Sequence, residues 1–149
     1  MLNSNSIMKK AGILVLLLSA IACNSSRKIS ESKPLYEILT SQEDGGATIR
    51  FFEILSEERE IKMLQNDDKI KNKITTIDTK TANFVILNMG EKTTAGYSIS
   101  VQQVEETPTT IVITTQDNEP KLILTAEREV FYYPYTIVKI NSKKEIIVK

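Results

Sequence analysis

Histidine and tryptophan are both absent from this 149-residue chain, and cysteine occurs once, as Cys23. Each absence removes a class of chemistry. Without histidine, Ser-His-Asp and Cys-His nucleophile systems lack their base. Zinc and copper sites built on His or Cys lack their ligands. One cysteine closes no intrachain disulfide, so stability must rest on an apolar core, which a chain of this length is able to bury. Neither sign of charge is in excess, because 19 basic and 19 acidic residues cancel. No polybasic field therefore points to nucleic acid or to an anionic membrane surface. Glycine-rich phosphate loops, EF-hand spacing and dinucleotide fingerprints are missing as well. The expectation is a protein with no cofactor, no metal and no enzymatic activity. A carboxylate-only glycosidase pair carries no signal here, since with 19 acidic residues some pair always lies close.

What is present begins with an export signal. Lys9 and Lys10 precede Ala11 to Ala22, an uncharged apolar run too short to span a bilayer as a helix. The run ends Ala20-Ile21-Ala22-Cys23. Small residues before a cysteine suit a lipoprotein signal peptidase, with Cys23 becoming the acylated N-terminus. The same tripeptide suits an ordinary signal peptidase cutting at the same bond without acylation. Cys23 is the chain's only cysteine and stands where acylation requires it, which favours lipidation and anchoring through several acyl chains. The expected organisation is a signal peptide over 1–22, a lipidated cysteine and flexible tether over 23–34, and a folded domain over 35–149. The tether, Asn24 to Lys33, is polar and serine-rich. Its Asn24-Ser25 start lacks the acidic residue that would suggest inner-membrane retention. The expected location is extracytoplasmic, in the cell envelope, with the outer membrane favoured.

The folded part reads mostly as strands. Pro34 to Thr40 predicts an edge strand, and Glu43-Asp44-Gly45-Gly46 a turn. Thr48 to Leu55 carries apolar residues on both faces and predicts a second strand. Ser56 reads as an N-cap for a helix over Glu57 to Gln65, with Ile70 as its outer limit. Ile61, Met63 and Leu64 supply its apolar stripe, and Glu58 with Lys62 an i, i+4 pair. Phe84 to Leu87 is an unbroken apolar run, the mark of a strand buried on both faces. Tyr97, Ile99 and Val101 alternate with polar residues, the pattern of a strand with one wet face. Between them, Gly90 to Gly96 predicts the loop of a hairpin, with both glycines free to take positive φ. Glu105 to Pro108 predicts a hairpin turn, and Thr109 to Thr115 and Leu122 to Thr125 predict two more strands around the Asp117 to Pro120 turn, followed by a charged connection, Glu127 to Glu129. Phe131-Tyr132-Tyr133 puts three aromatics in a row, so at least one must be exposed. Tyr135 to Ile140 and Ile146 to Val148 predict a last hairpin across Asn141 to Glu145. The fold class is α+β and mainly β: a small antiparallel β-sandwich or open barrel of about eight strands with one amphipathic helix.

Met89-Gly90-Glu91-Lys92-Thr93-Thr94-Ala95-Gly96-Tyr97-Ser98-Ile99 resembles the conserved core of the PrcB C-terminal domain family. Tyr133-Pro134-Tyr135-Thr136-Ile137-Val138-Lys139-Ile140 resembles that family's closing strand, and Ile77-Asp78 with Phe84 to Leu87 resembles its opening stretch. Together these cover Ile77 to Ile140. The family takes its name from a lipoprotein subunit of a bacterial surface protease complex. The resemblance implies a lipid-anchored, non-catalytic module that binds a protein partner, such as a secreted or surface protease, and supports its assembly or stability. Glu91, Lys92, Thr93 and Thr94 are the candidate contact residues on the loop, with Tyr132 and Tyr133 as a second patch. Thr93 to Tyr97 is also similar to a loop of chagasin-like protease inhibitors, which leaves inhibition as an alternative. A structural envelope lipoprotein with no discrete ligand is another.

Overall fold

The computed structural model describes residues 33–121 and 130–149. The expected leader, Cys23, most of the tether, the Leu122–Thr125 strand and the Glu127–Glu129 connection lie outside the described residues. Within them are seven strands: β1 (Tyr36–Gln42), β2 (Phe51–Leu55), β3 (Asn83–Asn88), β4 (Ser98–Glu106), β5 (Thr110–Asn118), β6 (Tyr135–Ile140) and β7 (Glu145–Val148). Two short helices, α1 (Glu58–Leu64) and α2 (Asp78–Thr81), lie between β2 and β3 with a 3-10 turn at Lys71–Lys73. One sheet has the order β1-β6-β3-β2 and the other β4-β5-β7. The fold is thus a small, mainly β sandwich in the α+β class.

Alternation along β3 and β6 builds two cores, one on each face of the first sheet. Phe84, Tyr135 and Ile137 turn to one face, where they pack with Leu39, Leu55, Ile61, Ile70 and Ile74 beneath the helical segment. Val85, Leu87, Val138 and Ile140 turn to the other and meet Ile99, Ile111, Ile113 and Ile146 of the second sheet. This is why the run from Phe84 to Leu87 shows no polar alternation. The two sheets are also tied by a hydroxyl: buried Thr136 donates to the carbonyl of Ile99 at 2.6 Å.

Several expectations about connections are corrected. Gly90–Gly96 does not close a hairpin, because β3 already has β2 and β6 on its two edges. The chain leaves that sheet and starts the second one with β4. Asn141–Lys144 does the same after β6, whose edges are taken by β1 and β3. β7 therefore pairs with β5, and does so in parallel, so the sandwich is not wholly antiparallel. The turn over Thr107-Pro108 does close a hairpin, β4 with β5. β2 is an edge strand, and only Leu55 of its residues is buried.

The helix starts one residue later than predicted. Glu57 is its N-cap, and the Glu60 carboxylate reaches back to accept the N–H groups of Glu57 (3.1 Å) and Ser56 (3.2 Å). Glu58 and Lys62 pair at 2.8 Å as expected. Met63 is 69% exposed, so the apolar stripe narrows to Ile61 and Leu64. The second helix, α2, was not foreseen. Its Asp78 carboxylate accepts from the N–H (2.8 Å) and the hydroxyl (2.7 Å) of Thr75. Burial pushes the Asp78 pKa up, but the two Thr75 hydrogen bonds and the Lys139 cation outweigh it and hold the group below the ordinary aspartate range. Lys139 is itself buried in the middle of the sheet, and its Nζ reaches Glu37 at 2.8 Å.

The first sheet has two distinct ends. The chain starts the domain at one of them, where Asn141 donates from its side chain to Pro34 O (2.7 Å) and from its backbone to Leu35 O (2.9 Å). Gln42, Phe51, Asn88 and Tyr135 mark the other end, where they are paired in register.

Candidate functional site

Three loops gather at that second end: residues 43–50, 89–97 and 130–134. Asn88, at the last position of β3, is 1% exposed. Its Oδ1 accepts from Ala47 N at 2.9 Å, while its Nδ2 donates to the carbonyls of Ala47 (2.9 Å) and Ile49 (2.6 Å). One amide thereby does for the first loop what ladder hydrogen bonds do inside a strand. Gly46 donates to Tyr133 O at 2.9 Å, fastening the first loop to the third. A Cβ on Gly46 would overlap Asn88 Oδ1 and stand 2.7 Å from Tyr133 O, so no larger residue fits there.

The 89–97 loop is braced from both sides. Gly90 has φ +81°, and a Cβ there would sit 3.0 Å from Arg50 N. Glu91 N donates to Thr48 O at 3.0 Å. Gly96 has φ +93° and packs against Pro120. Both glycines thus hold the left-handed conformation expected of them.

The two groups of candidate residues are brought together. Lys92 and Tyr132 form an antiparallel bridge, each backbone N–H donating to the other's carbonyl at 2.8 Å. Beside it the Tyr133 hydroxyl donates to Glu91 Oε2 at 3.0 Å. That hydrogen bond, with partial burial and the charges of Glu91 and Asp44, raises the Tyr133 pKa above its ordinary value. The Lys92 ammonium lies over the Tyr97 ring, 5.3 Å from its centroid. Glu91 and Thr93 are exposed, and Lys92, Thr94, Tyr132 and Tyr133 are half-buried. Among the described residues neither threonine hydroxyl has a hydrogen-bond partner within the protein. Phe131 (41%) and Val130 (45%) are exposed beside the tyrosines, as the three-aromatic run requires.

Further residues complete the surface without having been singled out from the sequence. Ile49 is 76% exposed on the first loop. Arg50 stacks on Phe52, 5.2 Å from the ring centroid, and pairs with Asp117 at 2.7 Å, joining this loop to the second sheet. A cleft of about 350 Å³ opens next to the 43–50 loop, lined by Gly45, Phe51, Leu64, Asp67, Ile86 and Tyr135 among others. Among the described residues no cluster of three or more acidic or cysteine side chains could hold a metal ion. The arrangement offers aromatic, aliphatic and charged contact groups on a braced backbone. Chemically that suits recognition of another surface.

Residues 83–141 match the family model described as PrcB C-terminal. The match runs from the start of β3 to just past β6, beginning six residues after the Ile77 at which the resemblance was drawn. It includes all six candidate contact residues. No curated protein and no solved structure matches the chain.

Proposed function

We propose, from the PrcB C-terminal match over residues 83–141, that this protein is a lipid-anchored, extracytoplasmic, non-catalytic module that binds a protein partner. Cys23 is its acylated residue, and its place is the cell envelope, on the outer membrane. The partner is a secreted or surface protease whose assembly or persistence the module supports. One observation carries the reading: the Lys92–Tyr132 bridge joins the 89–97 loop and the 131–133 aromatic run, 40 residues apart in the chain, into one surface. Tyrosine and arginine, here Tyr132, Tyr133 and Arg50, are among the residue types enriched at interface hot spots.

The test is capture from native envelopes by crosslinking the full-length protein, followed by identification of what is bound. Tyr132→Ala and Tyr133→Ala are each expected to weaken capture by about 2 kcal/mol, roughly thirtyfold in affinity. Replacing Glu91 to Thr94 with Gly and Ser should weaken it further. Capture unchanged by all three variants would remove the loop surface from the interaction. Papain inhibition by the purified protein would instead favour the inhibitor reading.

A further inference from the structure

Each sheet of a sandwich leaves two edges, and an uncovered edge is a row of backbone donors and acceptors able to pair with another chain. Three of the four edges here are interrupted or short. β1 carries a register shift between Ile38 and Thr40, and β4 one between Val101 and Gln103. β7 has four residues. β2 differs, for it pairs with β3 over five consecutive positions without a shift. Among the described residues its backbone bonds to β3 and to nothing else. On its two faces Phe51 is 38% and Ile54 40% exposed.

Charge decides what fits this edge. Glu53 stands at the middle of β2, exposed. None of the ion pairs among the described residues uses it. A second copy paired through the strand centre would set Glu53 against Glu53, and like charges directly opposite are unfavourable. A strand presenting Lys or Arg at that position meets an unused carboxylate. Two positions away on the same face, opposite Phe51, an apolar side chain finds an apolar neighbour at the mouth of the cleft.

We propose that the β2 edge receives an extended segment of a partner protein, added as a fifth strand of the first sheet, with a basic residue opposite Glu53 and apolar residues flanking it. The proposal deepens the binding-module reading by naming the partner's local structure and charge. The edge adjoins the loop surface at Phe51 but engages the β2 backbone and Glu53 rather than Glu91 to Thr94, Tyr132 or Tyr133, so each assignment can fail alone.

The experiment is amide hydrogen exchange on the full-length protein mixed with synthetic peptides of alternating Val and Thr, one with a central Lys and one with a central Glu. The Lys peptide is expected to slow exchange across Phe51–Leu55 and to bind up to about fivefold more tightly than the Glu peptide. Glu53→Lys, a change at an exposed position, should reverse that preference. A variant with Lys92, Thr93 and Thr94 all changed to Gly should take the Lys peptide unchanged even if it loses the captured partner. Three results overturn the proposal: no slowing with either peptide at millimolar concentration, a preference that Glu53→Lys leaves unaltered, or slowing that appears with protein concentration alone and so identifies a second copy as the occupant.

Discussion

Asn88 closes β3 with a buried amide that makes three hydrogen bonds to the 43–50 loop. Asn88→Ala would remove all three of these hydrogen bonds, and because Ala47 and Ile49 are exposed, water takes up part of what their backbone groups lose. The expected loss is about 1–3 kcal/mol of unfolding free energy, measured by urea denaturation, the scale of the hydrogen bonds removed less what water restores. Hydrogen exchange in the 43–50 loop should accelerate in the same variant. Asn88 was invisible as a clamp in the sequence, where it reads only as the polar residue ending an apolar run. Its role depends on the loop that folds onto it about forty positions earlier. The glycines were legible, since a Gly-bounded polar loop predicts positive φ on its own. Gly46 was not, because its need comes from the backbone of Tyr133, which no local pattern reveals.

At the scale of elements, local signals succeeded where an element's partners are its sequence neighbours. The Glu58–Lys62 pair and the β4–β5 hairpin are of that kind. They failed where an edge was already occupied: polar loops after β3 and β6 look like hairpin turns, yet both strands are central and have no edge to offer the next one. The missed helix α2 did carry a signal, since Thr75-Thr76-Ile77-Asp78 has the spacing of a capping box. That box also sets a pH dependence. The Asp78 pKa lies below its unfolded value, so its contribution to stability is whole above about pH 4 and fades as the pH falls through the folded-state pKa. Urea midpoints taken from pH 7 downward should show this acid loss in the native protein. Asp78→Asn, already lacking the charge, should start less stable at pH 7 and lose less on acidification.

For the molecule as a whole, the family match ends where the sheets are still incomplete. Residues 83–141 hold β3 to β6, while β1, β2 and β7 lie outside them. Cut out alone, that segment would keep two strands of each sheet and would lose Leu39, Leu55, Ile61 and Ile146 from the two cores. Two-stranded sheets are marginal in water. A peptide of residues 83–141 is therefore expected to be unfolded by circular dichroism, and residues 33–149 to unfold cooperatively. β1 spans the domain from where the chain starts it to where the three loops gather, a run of 7 residues, roughly 23 Å at the rise of a strand. The chain therefore enters the folded part at one pole, at Leu35, and displays Tyr132 and Tyr133 at the other.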